Sequence, residues 1–383
     1  MAEWIGIGRR ARRCYGFDEV ALVPGSQTVN PNEVDISWAI GDKKFEIPFL
    51  AAAMDGVVDV DFAVVMAKLG GIAVLNLDGV QTRYDNPSEV LSQIASASPE
   101  EATKLVQSVY LKPIKEDLIA KRIKEIKSHK VLAVVSCIPQ NAKKFSTIAE
   151  KAGCDMFIVQ STVATVKHMS SEYKALDIQK FCEESKIPII IGNCVTYEVA
   201  LELMECGASA LLVGIGPGAA CTTRIVTGVG VPQLTAILEC AKAAAKYKVP
   251  IIADGGIRNS GDFSKAFAAG ASAVMIGSLL AGTDESPGEY IFEEGVGYKL
   301  YRGMASREAA PNAGDDMYRA PEGKSGKVPY RGRAKNVLDD LIAGLRSSMS
   351  YLGAKNLREF QKNAKFIKIT QAALSESYPH GVK

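Results

Sequence analysis

Histidine is scarce in this chain of 383 residues: only His129, His168 and His380 occur, none beside a glycine-rich motif. Histidine-centred acid–base catalysis and a histidine metal site are therefore not expected. The eight cysteines (Cys14, Cys137, Cys154, Cys182, Cys194, Cys206, Cys221 and Cys240) contain no C-x-x-C pair. That removes zinc knuckles and dithiol redox motifs, and leaves most of the thiols as small apolar core residues. Neither sign of charge dominates: 45 Lys plus Arg against 43 Asp plus Glu gives a net charge of +2. A dedicated nucleic-acid binder usually carries a strong basic excess. Long apolar runs are missing as well. The uncharged stretch from Ala266 to Gly282 is 17 residues long and includes three glycines and two serines, short of the ~20 apolar residues of a membrane span. Arg9, Arg10, Arg12 and Arg13 are followed by Asp18 and Glu19 rather than by the apolar stretch of an export signal. The expectation is a cytoplasmic protein with neither a membrane nor a nucleic-acid partner.

What the chain does have is a repeated unit. Hydrophobic residues make up 47% and charged residues 23%, enough apolar surface for a sizeable core. Short, continuous apolar runs, as expected of strands buried on both faces, fall at about 49–54, 72–77, 132–136, 156–160, 187–192, 210–215, 249–253 and 273–277. Pro48, Pro188 and Pro250 stand at strand starts, where no ladder donor is needed. Gly70, Gly153, Gly207 and Gly270 each end a helical stretch shortly before a strand. Eight βα units predict an α/β fold of the (β/α)8 TIM-barrel type, with a doubly wound sheet as the alternative. The barrel is expected to occupy residues 1–383 as a single catalytic domain. Residues 1–45 would cover the barrel bottom or form a subunit contact. Residues 78–131 would add an extra helical stretch, too short for an inserted domain pair. Residues 285–335 would make a flap or finger after the eighth strand, followed by a helix at about 335–352.

The chemistry of such barrels gathers at the C-terminal ends of the strands. After the sixth strand comes Gly214-Ile215-Gly216-Pro217-Gly218-Ala219-Ala220-Cys221-Thr222-Thr223-Arg224. Alternate glycines let the backbone bend and present peptide groups to a ligand or ion. Cys221 is then a candidate nucleophile, against the plainer reading of a flexible loop with a passive thiol. The loop does not fit G-x-G-x-x-G, so no Rossmann domain is implied. After the seventh strand comes Asp254-Gly255-Gly256-Ile257-Arg258, and after the eighth Gly277-Ser278. Loops seven and eight are the usual phosphate site of these barrels, and Asp254 is placed to accept from ribose hydroxyls. Its plain alternative is a helix cap. A nucleoside monophosphate or sugar phosphate is the predicted ligand. Gly323-Lys324-Ser325 imitates the end of a Walker A motif, but Tyr318 stands where its first glycine should be.

GIGPGAACTTR (214–224), TGVGVPQLTAI (227–237), IIADGGIRNSGD (251–262), IGSLLAGTDESPGE (276–289) and YRGMAS (301–306) strongly resemble the IMP dehydrogenase and GMP reductase family from about Tyr15 to His380. With no CBS pair between strands two and three, the chain is most like the short bacterial IMP dehydrogenase-related branch. The resemblance implies that Cys221 attacks C2 of the purine, with hydride passing to or from a nicotinamide cofactor and Thr223 beside the reacting centre. It implies a monovalent cation, K+, on the peptide carbonyls of Gly216, Gly218 and Cys221, completed by Glu376, Ser377 and Tyr378 of a neighbouring subunit. A homotetramer follows, or an octamer stacked from two. Asp254 with Gly255 would hold the ribose. Gly256, Gly277, Ser278, Tyr301 and Gly303 would hold the phosphate. Met54, Asn193, Met304, Glu322 and Gly323 would line the purine, and Gln160, Ser161 and Gly214 the cofactor.

Departures from the family pattern keep the activity open. Ala219 replaces a phosphate-binding serine, and Gln160 replaces an aspartate after strand four. The flap reads Met317-Tyr318-Arg319-Ala320-Pro321-Glu322-Gly323, closer to the reductase than to the Arg-Tyr pair that activates water in typical dehydrogenases. Tyr318, Arg319 and Glu322 are nonetheless the candidates for proton handling. The reductase's lysine after strand two is replaced by Asn76-Leu77-Asp78. The preferred activity is NAD-dependent oxidation of IMP to XMP, an oxidoreductase of guanine nucleotide synthesis. The alternatives are NADPH-dependent deamination of GMP to IMP, or a purine nucleotide sensor without turnover.

Overall fold

The computed structural model describes residues 2–97, 99–288, 290–302 and 322–378. Eight parallel strands form a closed barrel: Phe49–Ala51, Ile72–Asn76, Val134–Cys137, Met156–Gln160, Ile189–Cys194, Ala210–Val213, Ile251–Asp254 and Ala273–Ile276. Each expected run supplies one strand, and the eighth returns to the first through Val274 opposite Phe49 and Ile276 opposite Ala51. The expected (β/α)8 barrel is thus the fold, and the doubly wound alternative is excluded. Several strands are shorter than their apolar runs. The first stops at Ala51 and the sixth at Val213, because the residues beyond them turn into the loops of the barrel mouth.

The prolines sit where their chemistry allows. Pro48, Pro188 and Pro250 each precede a strand and offer only the carbonyl, accepting from Val274, Phe157 and Leu211. The helix-ending glycines, Gly70, Gly153, Gly207 and Gly270, all take positive φ, from 86° to 114°, a region that costs a residue with a Cβ. Thr196 and Asn259 cap the helices Tyr197–Glu205 and Ser260–Ala268 by accepting from backbone N–H groups two or three residues into the helix. Asp254 caps no helix, which removes the plain alternative for it.

The flanking segments differ in detail from expectation. Residues 78–131 contain three helices, Pro87–Ser96, Pro99–Leu111 and Glu116–Ser128. The first two enclose a small second core with Val80, Val90, Ile94, Val106, Val109 and Tyr110. The hairpin Trp38–Ile40/Lys43–Phe45 does lie at the barrel bottom, where Trp38 donates to the Ile47 carbonyl and Ile47 to that of Gly70. Residues 15–19, however, run along the other end. Tyr15 exchanges hydrogen bonds with Thr235, and Asp18 pairs with Arg258 beyond the seventh strand. The excursion after strand eight is built on a three-stranded antiparallel sheet of Tyr290–Glu293, Val296–Arg302 and Ser325–Pro329. Its anchor is Lys299, 4% exposed. The ammonium donates to the carbonyls of Thr283 and Ser286, both at 2.7 Å, and of Asp284 at 3.3 Å. Burial lowers its pKa, against the pull of Asp284, Glu285 and Asp59. The helix Ala334–Tyr351 then packs against Ser260–Ala268.

Behind the mouth lies an aromatic stack. Phe49 and Phe263 stack at 4.5 Å, Phe263 meets Phe267 edge-on at 4.8 Å, and all three are fully buried. Phe263→Ala is expected to lower the unfolding free energy by about 3–5 kcal/mol, read as an earlier midpoint in urea denaturation.

Candidate active site

Three clusters meet at the C-terminal rim, and the first centres on Cys221. Its Sγ lies 3.2 Å from Thr223 Oγ1, and Thr223 donates to Glu322 Oε2 at 2.7 Å. Thr223 is 2% exposed. Thr222 N–H donates to the Glu322 carbonyl and Lys324 N–H to that of Ala220, with Cys221 bridged to Gly323. This short antiparallel contact binds the far end of the excursion to the sixth loop. Lys324 and Ser325 belong to it and to the strand that follows, so the Walker-like triplet is no phosphate loop. Arg224 holds the loop from below, donating to the carbonyls of Ile215 and Val231. Burial lowers its pKa.

The other cysteines behave differently. Cys137, Cys154, Cys194, Cys206 and Cys240 are buried. Burial pushes the thiols of Cys154 and Cys182 up to about 12. Cys221 alone joins a hydroxyl and a carboxylate in a hydrogen-bonded relay. Of the histidines, His129 ends the helix Glu116–Ser128 and His168 bonds Tyr173, while His380 lies outside the described residues.

The second cluster centres on Asp254. Its Oδ2 accepts from Asn193 Nδ2 at 2.8 Å and Gln160 Nε2 at 3.1 Å. Gln160 also donates to Asn193 Oδ1, and Asn193 to the Gly214 carbonyl. Asn193 N–H donates to the Ser161 carbonyl, and Ser161 N–H donates to the Gly192 carbonyl. Burial pushes the Asp254 carboxyl up to about 6, opposed by the amides of Asn193 and Gln160. Gln233, which sequence reasoning missed, lies behind this cluster and donates to the carbonyls of Val213 and Asp254. Its only signal was a polar residue directly after Pro232 at a helix start.

The third cluster is a cradle. A Cβ on Gly277 would lie 2.6 Å from the Tyr301 hydroxyl and 3.3 Å from Met54 Sδ. A Cβ on Gly255 would lie 3.0 Å from Gly218 N, and one on Gly256 3.1 Å from Pro217. Loop seven therefore approaches loop six, and loop eight approaches Tyr301 and Met54, closely only because those positions are glycine. Tyr301 is buried, which raises its hydroxyl pKa, with Asp254 and Cys221 adding to the rise. Ser278 opens the short helix Ser278–Ala281 beside this cradle.

Within one chain, Glu376, Ser377 and Tyr378 do not join these clusters. They end the helix Gln371–Glu376 at the surface, on the side of the turn Phe17–Glu19. Gly303, Met304, Tyr318 and Arg319 lie outside the described residues. Asp78, in the segment after the second strand, accepts from Ile138 N–H and Asn141 Nδ2 and so fastens the start of the helix Pro139–Lys151.

Residues 14–380 match the model of the IMP dehydrogenase / GMP reductase domain. The inosine-5'-monophosphate dehydrogenase of Methanocaldococcus jannaschii is 34% identical over 478 aligned positions, covering 97% of this chain and 96% of that protein. That alignment is longer than the present chain, so the relative carries length that this chain lacks. The enzymes of the same name from Cryptosporidium parvum and Borreliella burgdorferi align over 393 and 402 positions, at 38% and 37% identity. Each alignment covers 96% of this chain, and 95% and 96% of the respective relative. A match of this extent, running through all three clusters of the barrel mouth, places the chain in the IMP dehydrogenase / GMP reductase family.

Proposed function

We propose that this chain oxidises IMP to XMP with NAD, through a covalent intermediate on Cys221. The observation that carries this reading is the relay Cys221–Thr223–Glu322 at the barrel mouth, a few residues from a cradle that suits a nucleoside monophosphate. Asp254 would accept from the ribose hydroxyls. Gly256, Gly277, Ser278, Tyr301 and Gly303 would surround the phosphate, and Met54, Asn193, Met304 and Gly323 the base.

Cys221 Sγ adds to C2 of the purine, and the C2 hydrogen leaves with its electron pair, so the base is oxidised. NAD supplies the two-electron acceptor for that hydride. Ser161 and Gly214 would hold it on the side of strands four to six. The resulting thioimidate is then attacked by water at C2. The C–S bond breaks, XMP departs and the thiol is restored. The water must lose a proton, which Glu322, reached through Thr223, would take; Tyr318 is a further candidate, and Arg319, which stays charged, would polarise the water or orient Tyr318. A positioned base contributes about 10²–10⁴-fold to such a step.

The carbonyls of Gly216, Gly218 and Cys221 would supply a neutral oxygen set on one tight loop, of the kind that suits a monovalent cation such as K+. Among the described residues no cluster of three or more His, Cys, Asp or Glu side chains could hold a metal ion. The cation would order the loop that carries the nucleophile. Glu376, Ser377 and Tyr378, exposed on their own chain, would complete the site in a neighbouring subunit of a homotetramer or octamer. No helix among the described residues is long and apolar enough to cross a membrane, in keeping with the proposed cytoplasmic enzyme. The segment Asn76-Leu77-Asp78, standing where the reductase carries its lysine, favours the dehydrogenase over the GMP reductase.

With IMP, NAD+ and potassium, absorbance of the reduced nicotinamide should rise steadily, and Cys221→Ala should abolish the rise. Glu322→Gln should keep a rapid single-turnover burst while slowing steady turnover about 10²-fold or more. Silence with IMP but NADPH oxidation with GMP would move the assignment to the reductase, and silence in both to a nucleotide sensor. Asp254 gives a test without turnover. Its folded-state pKa of about 6 lies above the ordinary carboxyl value of 3.8. The stabilising effect of its proton is thus complete below 3.8 and lost as pH rises through about 6. Asp254→Asn should therefore melt higher than the parent at neutral pH, with the margin closing as pH falls through that window.

A further inference from the structure

We propose that Gln160 is a positioning residue for Asp254, setting the ribose-binding carboxylate from the opposite side of the barrel mouth; this rests on the nucleotide site proposed above. Gln160 ends the fourth strand and Asp254 the seventh, 94 residues later. One amide nitrogen of Gln160 reaches both Asp254 Oδ2 at 3.1 Å and Asn193 Oδ1 at 3.3 Å. Accepting that bond fixes which way the Asn193 amide faces, and its Nδ2 then donates to the same Asp254 oxygen and to the Gly214 carbonyl. The network joins the ends of strands four, five and seven and the start of the sixth loop. Both side-chain donors address Oδ2, which leaves Oδ1 for a ligand hydroxyl. Gln233 fixes the peptide of the same residue from behind, so the carboxylate is held at both its main chain and its side chain. The titratable group that faces it is Tyr301, from the strand Val296–Arg302, whose hydroxyl pKa Asp254 helps to raise.

An amide at position 160 can donate, whereas a carboxylate there can only accept. A carboxylate at 160 would face Asp254 at hydrogen-bond distance with like charge, and would lose the bonds to Asp254 and Asn193 together. Glutamine at this position therefore serves the nucleotide side of the site, and this chain builds its cofactor side without a carboxylate on strand four.

The test is calorimetric titration of the full-length protein with IMP in the absence of NAD. Gln160→Leu should weaken IMP binding about tenfold or more, the loss of one hydrogen bond to a charged group. Gln160→Glu should weaken it further at about pH 7.5, and should recover relative to Gln160→Leu as pH falls toward about 5.5, where a protonated glutamate donates again. In steady state KM for IMP should rise while KM for NAD stays within about twofold. Unchanged IMP affinity with a raised KM for NAD would overturn the proposal and make Gln160 a cofactor contact. A ligand-free arm separates this from failure of the nucleotide reading itself. Gln160→Glu should lower the melting temperature of the parent and not that of the Asp254→Asn variant. If the parent binds neither IMP nor GMP, the nucleotide reading fails while this cycle still decides the coupling. Additive melting shifts in the cycle overturn it.

Discussion

The pairing of the eighth strand with the first is the constraint on which everything else rests. Once Val274 meets Phe49 and Ile276 meets Ala51, no strand edge is left and the side chains along the eight strands are buried. Polar chemistry can then appear only where the strands stop. That confines Asp254, Asn193, Gln160, Cys221 and Gly277 to one rim, although more than a hundred residues separate the first of them from the last. The short contact between Ala220–Thr222 and Glu322–Lys324 adds an acid that no barrel strand could supply. The nucleophile comes from the sixth loop and its carboxylate partner from the far end of an excursion that leaves the barrel after strand eight.

The rim carries a cost of its own. A carboxyl group is held in a buried place that disfavours its charge, and three amide side chains are spent on orienting it and its peptide. Gln160 and Asn193 moderate the effect of burial on Asp254, while Gln233 closes the gap between strands six and seven. A purely apolar plug would pack with less strain on solvation, so the polar belt makes sense as a binding device rather than a stabilising one.

Much of the architecture was legible because buried parallel strands write themselves as apolar runs and helix ends as glycine. Gly70, Gly153, Gly207 and Gly270 all carry the backbone conformation that their position implied. The strand ends were harder, since Met54 and Gly214 look as apolar as the strands before them yet belong to loops. The extra helices of 87–111 merged into one charged stretch because their apolar residues serve a separate small core. At the site, Cys221, Thr223 and Asp254 were visible from the motifs and Glu322, Asn193 and Gln160 from the resemblance, but the contacts among them were not legible in any local pattern. Nothing local links Thr223 to Glu322, 99 positions on, or Gln160 to Asp254. Such pairs are set by barrel closure, which the sequence does not spell out in any one window.

Lys299 gives the excursion an unusual kind of footing. Peptide carbonyls gathered around a positive charge normally form an exchangeable site, occupied only as far as the surrounding salt allows. Here the charge is covalently part of the sheet, so it has no dissociation constant and cannot be displaced by sodium or lost on dilution. The strand that bears it also bears Tyr301, two residues on. The tyrosine over the glycine cradle is thus held by a fastening indifferent to ionic conditions, whereas the cation proposed for the cysteine loop would come and go with them.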